Sequence, residues 1–482
     1  MVAKCKGYGV NAHELQQFLG TQPRNVHLIG VGGAAMSGLA RILTIQGHQI
    51  SGSDVAASDN LDTLRALGAT VHIGHAAANV AGSDLTVFSS AILPDNPELA
   101  ASEQDGIPTV NRAVLQGALS LEKTTIAVAG THGKTTTSTM ITHALRANRQ
   151  DPSYMIGGDP QNFPHSSHWG TGSIMVIEAD EFDRAFLELF PNVVVITAVE
   201  ADHLDTYGSL ENLESAFRNL VHKLPADGTV AIHADSVTCR RVAAVADSRL
   251  RTWSLRGRAQ WVCTELTPRM GNGYEATIQS VTGERLSLSL RIPGVHNVLN
   301  ALACVTALDA VGVPASSVVM ALNHFQGVRR RFEVKARENG VTLVDDYAHH
   351  PTEVRATLRA ARDWHEGRIV CVFQPHLRSR TADLFDEFAE AFRGADELIL
   401  VEIYQPTGRE DPLPLSSADL AEAVTRPGNA RYAATLRDAL TEVMRLIESG
   451  DLIIVMGAGD ITELCDPLLE HLQNRMPMES PS

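Results

Sequence analysis

Residues Thr125–Thr137, TIAVAGTHGKTTT, decide the fold class, because an apolar run passes directly into a glycine loop with a lysine and four threonines. A buried parallel strand that ends in such a loop aims main-chain N–H groups and the next helix start at an anion. Lys134 adds positive charge, and Thr135 places a hydroxyl where a phosphate-bound Mg²⁺ would lie. The segment predicts a nucleotide-phosphate site built from Gly130, Thr131, His132, Gly133, Lys134, Thr135 and Thr136. Val128 replaces the first glycine of the full motif, and the alternative is a plain glycine turn before a surface helix.

Length and composition leave room for several sites. The chain has 482 residues, more than one hydrophobic core holds, so two or three domains are expected. Its hydrophobic share of 44% and charged share of 20% are those of an ordinary globular protein. No apolar stretch has membrane-spanning length and the start lacks a signal-peptide core, so no membrane insertion is expected and the cytoplasm is the expected compartment. A net charge of −16 argues against a nucleic-acid partner.

A second strand enters a glycine turn at Asn25–Gly33, NVHLIGVGG, and a helical pattern follows it. Asp54 ends the next strand about twenty residues on, where a dinucleotide-binding fold places the acid that contacts a ribose. The alternative is a tight turn without a ligand, because Ala35 occupies the position of a third glycine. Ser89 and Ser90 follow another apolar run, and they either contact phosphate or cap a helix.

Polar side chains follow two apolar runs in the middle of the chain. Glu178 follows Ile174–Ile177, and His203 comes a few residues after Val193–Ile196. Because the carboxyl ends of parallel strands share the edge where ligands bind, both residues are predicted metal ligands near the phosphates. The alternatives are a solvated carboxylate and a structural histidine.

Two amides three residues apart, Asn297 and Asn300, lie on one face of a predicted helix. They are suited to reading the edge of a purine, and the alternative is an N-cap followed by a solvated polar position. The basic run Arg329–Arg331 either reaches an ATP phosphate or is a solvated stretch.

The last third repeats the alternation of strand and helix. Val341–Val344 leads to Asp345-Asp346-Tyr347, and Ile369–Phe373 leads to Gln374-Pro375-His376. Further apolar runs follow at Leu398–Val401 and Leu452–Met456. The pattern predicts a third α/β unit with polar groups collected at its strand ends.

Together these motifs resemble the Mur ligases of peptidoglycan synthesis, over nearly the whole chain. The first turn, GVGGAAMSG, is similar to the family's UDP-sugar turn, and AGTHGKTTT is similar to its phosphate loop. The other matching segments are EADE at Glu178–Glu181, EADHLDTYG at Glu200–Gly208, HNVLNA at His296–Ala301, RRF at Arg330–Phe332 and DDYAHHPTE at Asp345–Glu353.

The resemblance implies an α/β protein of three domains and an ATP-dependent amide-forming ligase. The domains are expected to be a Rossmann-like UDP-sugar domain over 1–121, a central P-loop ATPase-like domain with a mainly parallel sheet over 122–327, and a Rossmann-like C-terminal domain over 328–482 that brings the amino acid and closes on ATP. The alanine-adding branch of the family fits best, with UDP-N-acetylmuramate and L-alanine as partners, ATP and Mg²⁺ as cofactors, and an acyl phosphate as intermediate. A monomer or weak homodimer is expected.

The resemblance also implies roles for individual residues. Those expected to act in catalysis are Lys134, His203, Arg331, His349 and Arg380. Those expected to bind ATP outside the phosphate loop are Asn297, Asn300, Arg331 and Asp346. Those expected to bind the substrates are Gly32, Gly33, Ser37, Asp54, Ser89, Ser90, His132, Tyr347, His376 and Arg380. Those expected to bind Mg²⁺ are Thr135, Glu178 and His203.

Departures from the family pattern keep other functions open. Leu377 stands in the PHLRSRT segment where the family has an arginine, and Arg378 is the candidate substitute. The resemblance implies that this segment lies near the incoming amino acid, so Leu377 bears on the preference for alanine. The nearest alternative is a recycling ligase that adds a murein tripeptide to the same UDP-sugar. Outside the family, the first glycine turn also fits a nicotinamide oxidoreductase, and the phosphate loop also fits a kinase or NTPase.

Overall fold

The structure is a computed structural model that describes residues 10–202, 204–406 and 411–474, with only the main chain described at 204, 205, 247 and 248. It divides into two compact units. Unit 1 runs to Val262 and includes Leu302–Ala321, and unit 2 comprises Cys263–Ala301 and the chain from Leu322 on. The predicted α/β class is confirmed, because helices and strands alternate in both units.

Unit 1 begins with a five-stranded parallel sheet in the order β3-β2-β1-β4-β5. Its strands are β1 (Asn25–Ile29), β2 (Gln49–Asp54), β3 (Thr70–Ile73), β4 (Leu85–Phe88) and β5 (Thr109–Asn111). The accompanying helices are α1 (Ala12–Gly20), α2 (Ala34–Ile45), α3 (Asp59–Ala66), a 3₁₀ turn at Ala77–Val80, α4 (Pro97–Gln104) and α5 (Arg112–Ser120). The predicted strand–turn–helix unit at the first glycine turn is therefore confirmed.

The second sheet of unit 1 has the order β12-β11-β10-β6-β9-β7-β8 and is parallel except for the β7–β8 pair. Its strands are β6 (Thr124–Ala129), β7 (Ser153–Met155), β8 (Ser167–His168), β9 (Ile174–Glu178), β10 (Val193–Ile196), β11 (Thr229–His233) and β12 (Leu250–Ser254). Its helices are α6 (Lys134–Ala147), α7 (Leu204–Tyr207), α8 (Leu210–His222) and α9 (Val237–Ala243), with 3₁₀ turns at Phe182–Glu188 and Ala244–Arg249.

The central strand of this sheet places the phosphate loop. β6 is buried along nearly its whole length and lies between β9 and β10. Val128 pairs with Glu178, and Ala129 pairs with Ile196, so the carboxyl ends of all three strands meet at one edge. The polar residues that follow these strands are therefore brought together, as parallel pairing requires.

The chain then crosses between the units. β13 (Trp261–Pro268) begins beside β12, with Trp261 opposite Trp253. In unit 2, β14 (Tyr274–Ser280) and β15 (Arg285–Leu290) form an antiparallel pair. Two helices follow, α10 (Val295–Ala310) and α11 (Ala315–Leu322).

The third sheet lies in unit 2 and has the order β16-β17-β21-β18-β19-β20, parallel except for β16. Its strands are β16 (Glu333–Glu338), β17 (Val341–Asp346), β18 (Ile369–Phe373), β19 (Glu397–Val401), β20 (Arg431–Ala433) and β21 (Leu452–Met456). Its helices are α12 (Pro351–Trp364), α13 (Arg378–Asp383), α14 (Phe385–Ala389), α15 (Ser417–Ala423), α16 (Leu436–Leu446) and α17 (Cys465–Asn474), with a 3₁₀ turn at Asp460–Leu464.

One strand of this sheet is longer than the sequence predicts. β17 continues through Asp345 and Asp346, because Asp345 pairs with Val455 and Asp346 with Met456 of β21. Apolar composition ends at Val344, but main-chain pairing does not depend on side-chain polarity. Among the described helices, none is both long enough and apolar enough to cross a membrane.

Candidate functional site

The phosphate loop in unit 1 depends on two glycines with positive φ. Gly130 has φ +130°, and a Cβ there would lie 2.2 Å from Thr197 Oγ1 and 2.9 Å from the main chain of Ala198. Gly133 has φ +82° and is the N-cap of α6. These conformations are open to glycine and costly for other residues. The loop is therefore tied to the end of β10 and turns directly into a helix start.

Lys134 folds back over this loop, and its side chain is largely buried, with 14% of its surface exposed. Its Nζ donates to Gly130 O at 2.6 Å and to Glu181 Oε1 at 2.7 Å, and it lies 3.4 Å from Thr131 O. Burial opposes the charged ammonium, but the carboxylates of Glu181, Asp180 and Glu178 outweigh burial and raise the pKa of Lys134. The side chain therefore stays cationic at neutral pH.

Two of the three predicted metal ligands lie in contact. Thr135 Oγ1 donates to Glu178 Oε1 at 2.9 Å, and the other oxygen of Glu178 accepts from the main-chain N–H of Gly157 at 2.7 Å. Glu178 is therefore a held carboxylate at the end of β9, and not the freely solvated one of the alternative reading. The third predicted ligand, His203, lies outside the described residues.

His132 and Thr131 connect the loop to the segment after β10. His132 Nε2 lies 3.5 Å from Glu200 Oε2. Thr131 Oγ1 accepts from the main-chain N–H of Glu200 at 2.8 Å, and Thr131 N donates to Ala198 O at 2.9 Å. Thr136 is buried in the first turn of α6. The predicted loop residues are thus brought together in one framework.

Glu181 is a site residue that sequence reasoning misses. It belongs to the EADE segment, but nothing in the spacing shows that its carboxylate, rather than that of Asp180, reaches Lys134. Asp180 instead lies 3.5 Å from Arg112 Nη2. The available signal was a second glutamate three residues after Glu178, in the segment that follows a predicted buried strand.

The first glycine turn is held by Asp54. Gly30 has φ +79°, and the N–H groups of Gly30 and Val31 donate to Ser53 O at 2.8 and 3.0 Å. Gly32 N donates to Asp54 Oδ2 at 2.8 Å, so the carboxylate predicted to contact a ribose also holds the turn. Gly33 is the N-cap of α2.

A buried polar network lies behind this turn. The Glu98 carboxylate is fully buried and accepts from Ser53 Oγ at 2.5 Å and Asn79 Nδ2 at 2.6 Å, with His27 Nε2 3.6 Å away. Burial alone would raise the pKa of Glu98, but the nearby His27 imidazole and the hydrogen bonds from Ser53 and Asn79 lower it to about 2. Glu98 thus fixes the end of β2 that carries Asp54.

The predicted serines lie around the same turn without capping a helix. Ser89 Oγ lies within 3.7 Å of the position a Cβ on Gly30 would take, and Ser90 Oγ accepts from Asn111 Nδ2 at 3.2 Å. The alternative that they cap a helix is wrong, because α4 begins at Pro97 and Asn96 caps it. Ser37 Oγ donates to Ala34 O within α2.

In unit 2, Asn297 and Asn300 are buried inside α10. Asn297 Nδ2 donates to Pro293 O at 2.6 Å, and Asn300 Nδ2 donates to Asn297 Oδ1 at 3.2 Å. The alternative of an N-cap and a solvated amide is therefore wrong. Burial lowers the pKa of the neighbouring His296 to about 4, although Glu353 opposes the shift.

Arg331, Asp346 and Tyr347 form one group at the end of β17. The Arg331 guanidinium lies over the Tyr347 ring at 4.9 Å. Asp346 is buried, and its carboxylate accepts from Phe332 N at 2.7 Å and Ala348 N at 2.8 Å. Burial raises the pKa of Asp346 to about 6 against these bonds. Asp346 therefore holds the turn that presents Arg331, whereas its predicted contact with a nucleotide stays a prediction.

His349, His376 and Arg380 lie in contact at the ends of β17 and β18. The rings of His349 and His376 are 6.1 Å apart, and Arg380 Nη1 lies 3.3 Å from His376 Nδ1. The His376 ring also stacks on Tyr404 at 5.6 Å. The unit thus gathers imidazole and guanidinium groups at one sheet edge.

Leu377 has φ +68°, an uncommon conformation for leucine, and its N–H donates to Tyr404 O at 2.9 Å. Arg378, the possible substitute for the missing arginine, lies 3.8 Å from Glu402 Oε1 and 3.4 Å from Asp411 O. Arg378 is therefore directed toward the end of β19, whereas Arg380 contacts His376.

Family models match most of the chain. They are described as Mur ligase family, catalytic domain (residues 25–124), Mur ligase middle domain (128–308) and Mur ligase, glutamate ligase domain (330–459). The predicted three-domain organisation is confirmed by these matches.

Known proteins are similar to the chain over nearly its full length. It is 42% identical over 448 residues to a protein of Chlorobaculum tepidum named UDP-N-acetylmuramate–L-alanine ligase, covering 92% of this chain and 94% of the relative. The solved structure of the UDP-N-acetylmuramate–alanine ligase from Thermotoga maritima has a TM-score of 0.78 and 29% identity, and covers 93% of this chain and 99% of that one. A murein peptide ligase from Psychrobacter arcticus has a TM-score of 0.69 and 26% identity, and covers 94% and 100%.

Proposed function

The chain belongs to the Mur ligase family, and from this premise we propose that it joins L-alanine to the carboxyl group of UDP-N-acetylmuramate with consumption of ATP, in peptidoglycan precursor synthesis. The observation that carries the proposal is the group at the end of β6, where the cationic Lys134 of the glycine loop lies beside a hydroxyl–carboxylate pair formed by Thr135 and Glu178. Such a group is suited to a nucleotide phosphate and its counter-ion.

Mg²⁺ fits the donors of this group. Thr135 Oγ1 and Glu178 Oε1 are hard oxygen ligands held within 2.9 Å of each other, which is the chemistry that Mg²⁺ prefers. We propose that they hold the ion, with His203 as the third ligand. When bound, Mg²⁺ neutralises charge on the transferred phosphoryl group. Lys134 supplies the fixed positive charge of the protein itself.

The reaction has two steps. A carboxylate is a poor electrophile, so an oxygen of the muramate carboxylate first attacks the terminal phosphorus of ATP, which forms an acyl phosphate and releases ADP. The amine of L-alanine then attacks the acyl carbon, and phosphate leaves from a tetrahedral intermediate whose negative oxygen requires cationic stabilisation. We propose Lys134 as the group that contacts the transferred phosphoryl, and Arg331, His349 and Arg380 as the cationic and proton-carrying groups of the second step.

The sugar nucleotide is proposed to bind at the first glycine turn. Gly32, Gly33, Ser37, Asp54, Ser89 and Ser90 are the proposed contacts. Support comes from the positions of Gly30, Asp54 and Ser89 around the same turn, at the carboxyl ends of β1, β2 and β4. That edge is where open α/β sheets bind ligands. His132 of the phosphate loop is proposed to contact the muramate end of the substrate.

Unit 2 is proposed to supply the remaining contacts. Asn297 and Asn300 are the proposed adenine contacts, and Arg331 and Asp346 the proposed nucleotide contacts. Tyr347, His376 and Arg380 are the proposed amino-acid contacts. Support comes from their grouping at the ends of β17 and β18, where guanidinium groups suit a carboxylate. The domain boundaries at 121 and 327, the cytoplasmic location and the monomer or weak homodimer are likewise proposals.

The test is a phosphate-release assay with each substrate omitted in turn. Release from ATP should require both UDP-N-acetylmuramate and L-alanine, because the acyl phosphate forms only on the sugar and turns over only with an amine. ATP turnover without the sugar, or reduction of a nicotinamide, would contradict the proposal. Replacing L-alanine by glycine, serine or the murein tripeptide tests the recycling alternative and the effect of Leu377. Preference for the tripeptide would move the chain to the murein peptide ligase branch.

A further inference from the structure

Every donor of the Lys134 ammonium has a partner in the phosphate loop. One partner is Glu181 Oε1 at 2.7 Å, and the others are the carbonyl oxygens of Gly130 at 2.6 Å and Thr131 at 3.4 Å. An ammonium carries three N–H donors, so this arrangement leaves no donor for a phosphate oxygen. A triphosphate can contact Lys134 only by replacing one of these acceptors.

Glu181 is the acceptor suited to replacement. Gly130 O and Thr131 O belong to the loop that carries Lys134, so they stay within reach of it whatever binds. Glu181 comes from a segment 47 residues further along and is the only charged partner of the three. A carboxylate oxygen and a phosphate oxygen are equivalent acceptors for an ammonium, and both form charge-assisted hydrogen bonds.

The fold holds the main chain of Glu181 firmly beside the loop. Tyr207 Oη donates to Glu181 O at 2.6 Å, and Arg184 N donates to the same oxygen at 3.0 Å. The Arg184 guanidinium lies over the Tyr207 ring at 5.4 Å. Asp183 and Arg184 have φ +53° and +59°, in the left-handed region. Non-glycine residues persist there only where their surroundings fix them.

We propose, resting on the proposed function, that Glu181 is a positioning residue. Its carboxylate accepts the hydrogen bond of the Lys134 ammonium when no nucleotide is bound, and the terminal phosphates of ATP displace it when the nucleotide binds. While no phosphate is present, the ion pair keeps the largely buried Lys134 charged and directed at the loop. Without a counter-ion, a charged ammonium in this position would be energetically unfavourable. Nucleotide binding then exchanges one charge-assisted bond for another, so the ion pair weakens net affinity for ATP.

The test compares two variants of adjacent acids. Glu181→Gln leaves a neutral and weaker acceptor, and Asp180→Asn removes a charge one residue away without touching the Lys134 contact. In the presence of Mg²⁺, we expect Glu181→Gln to bind a non-hydrolysable ATP analogue about 10-fold more tightly than the wild type. Asp180→Asn should change this affinity less than about 2-fold. AMP, which lacks the terminal phosphates, should bind both variants like the wild type.

Unchanged or weaker binding of the analogue by folded Glu181→Gln would overturn the proposal, because a purely structural carboxylate gives no gain in affinity. Equal gains in both variants, or an equal gain for AMP, would also overturn it by showing a general field effect. If Glu181→Gln does not fold, Glu181→Asp keeps the charge and shortens its reach, and a gain of about 3-fold is expected. A wild type that does not bind the analogue would instead contradict the proposed function itself.

Discussion

The two glycine turns of unit 1 look alike in sequence and are held in opposite ways. At the first turn, the Asp54 carboxylate takes a main-chain N–H of the turn, Gly32 N, at 2.8 Å. At the phosphate loop, the Glu181 carboxylate takes the side-chain ammonium of Lys134 at 2.7 Å. At both turns, a carboxylate from a neighbouring strand end accepts a hydrogen bond from a donor that could otherwise bind an anionic ligand.

The difference between the turns lies in what a ligand can displace. Asp54 also accepts from Val55 N at 2.8 Å, so both of its oxygens hold main chain and form a permanent support. Glu181 holds a flexible side chain, and its contact is exchangeable. A strand–glycine–helix pattern thus specifies a turn, whereas the charges that complete it come from distant segments and set how the turn works.

Lys134→Ala should have the largest effect, because it removes the only cation of the second turn and leaves the first turn untouched. We expect the rate of alanine ligation to fall at least about 10³-fold, since the charge on the transferred phosphoryl is no longer balanced. Binding of UDP-N-acetylmuramate, measured by calorimetry, should stay within about 3-fold of the wild type. Turnover within 10-fold of the wild type would show that Lys134 does not contact the phosphoryl group.

The turns should also differ in their tolerance of a methyl group. Gly130→Ala places a Cβ 2.2 Å from Thr197 Oγ1 and 2.9 Å from the main chain of Ala198, at φ +130°. Gly33→Ala meets only Gly30 O at 3.6 Å and has φ −68°. We expect the free energy of unfolding to fall by at least about 3 kcal/mol for Gly130→Ala and by less than about 1 kcal/mol for Gly33→Ala.

Denaturant unfolding followed by circular dichroism measures both changes. Because the chain has several domains, hydrogen exchange of the peptides that carry each turn should accompany it. Equal losses for the two variants would mean that the phosphate loop relaxes around the added Cβ. The close contact of Gly130 with Thr197 and Ala198 would then not be what excludes a side chain from this position.

The main-chain structure around both glycine turns can be predicted from the sequence. The strand before each turn, the turn and the helix after it follow from apolar runs, glycine positions and the lysine. Parallel pairing then predicts that Glu178 lies near Thr135, and the contact at 2.9 Å agrees. These features are local or follow from one topological rule, which is why a single sequence shows them.

The charge partners were not predictable in the same way. Asp180 and Glu181 are adjacent acids, and only the folded chain shows that Glu181 reaches Lys134. The turn that follows them has Asp183 and Arg184 in the left-handed region, which is uncommon for residues other than glycine and is not read from this sequence. The sequence also does not decide the role of Ser89. A helix cap is excluded only because the structure begins α4 at Pro97. Glu98 gave no signal at all, because its partners lie between 19 and 71 residues away and contact it only through tertiary packing.

The buried Glu98 behind the first turn predicts a pH dependence of the stability of that turn. Its pKa is lowered from 4.5 to about 2, so its stabilisation is present above pH 4.5 and is lost as the pH falls through about 2. Glu98→Gln should therefore cost about 2–3 kcal/mol at pH 7, and the difference from the wild type should shrink below pH 4.5. Hydrogen exchange of the β2 peptide at pH 7, 5 and 4 measures this local stability.

Glu103→Gln is the matched control for Glu98, because Glu103 is exposed on the same helix, α4. It should change the exchange of β2 by less than about 0.5 kcal/mol at every pH. A difference between wild type and Glu98→Gln that stays constant from pH 7 to 4 would show that the shape of the side chain, rather than its charge, supports β2.

Asp54→Asn should give the smallest effect. It tests whether the Asp54 carboxylate holds the first glycine turn permanently or is displaced by a ligand. An asparagine offers only one oxygen to the two main-chain donors, Gly32 N and Val55 N, so its NH₂ group must face one of them. We expect the KM for UDP-N-acetylmuramate to rise about 10-fold while kcat falls less than about 3-fold, because Asp54 is proposed to bind the sugar nucleotide and not to take part in phosphoryl transfer. Asp62→Asn, an exposed acid on α3, is the control and should leave both constants unchanged. If the KM of Asp54→Asn falls instead, the carboxylate repels the sugar nucleotide, and Asp54 would then resemble Glu181 as a group that a ligand must displace.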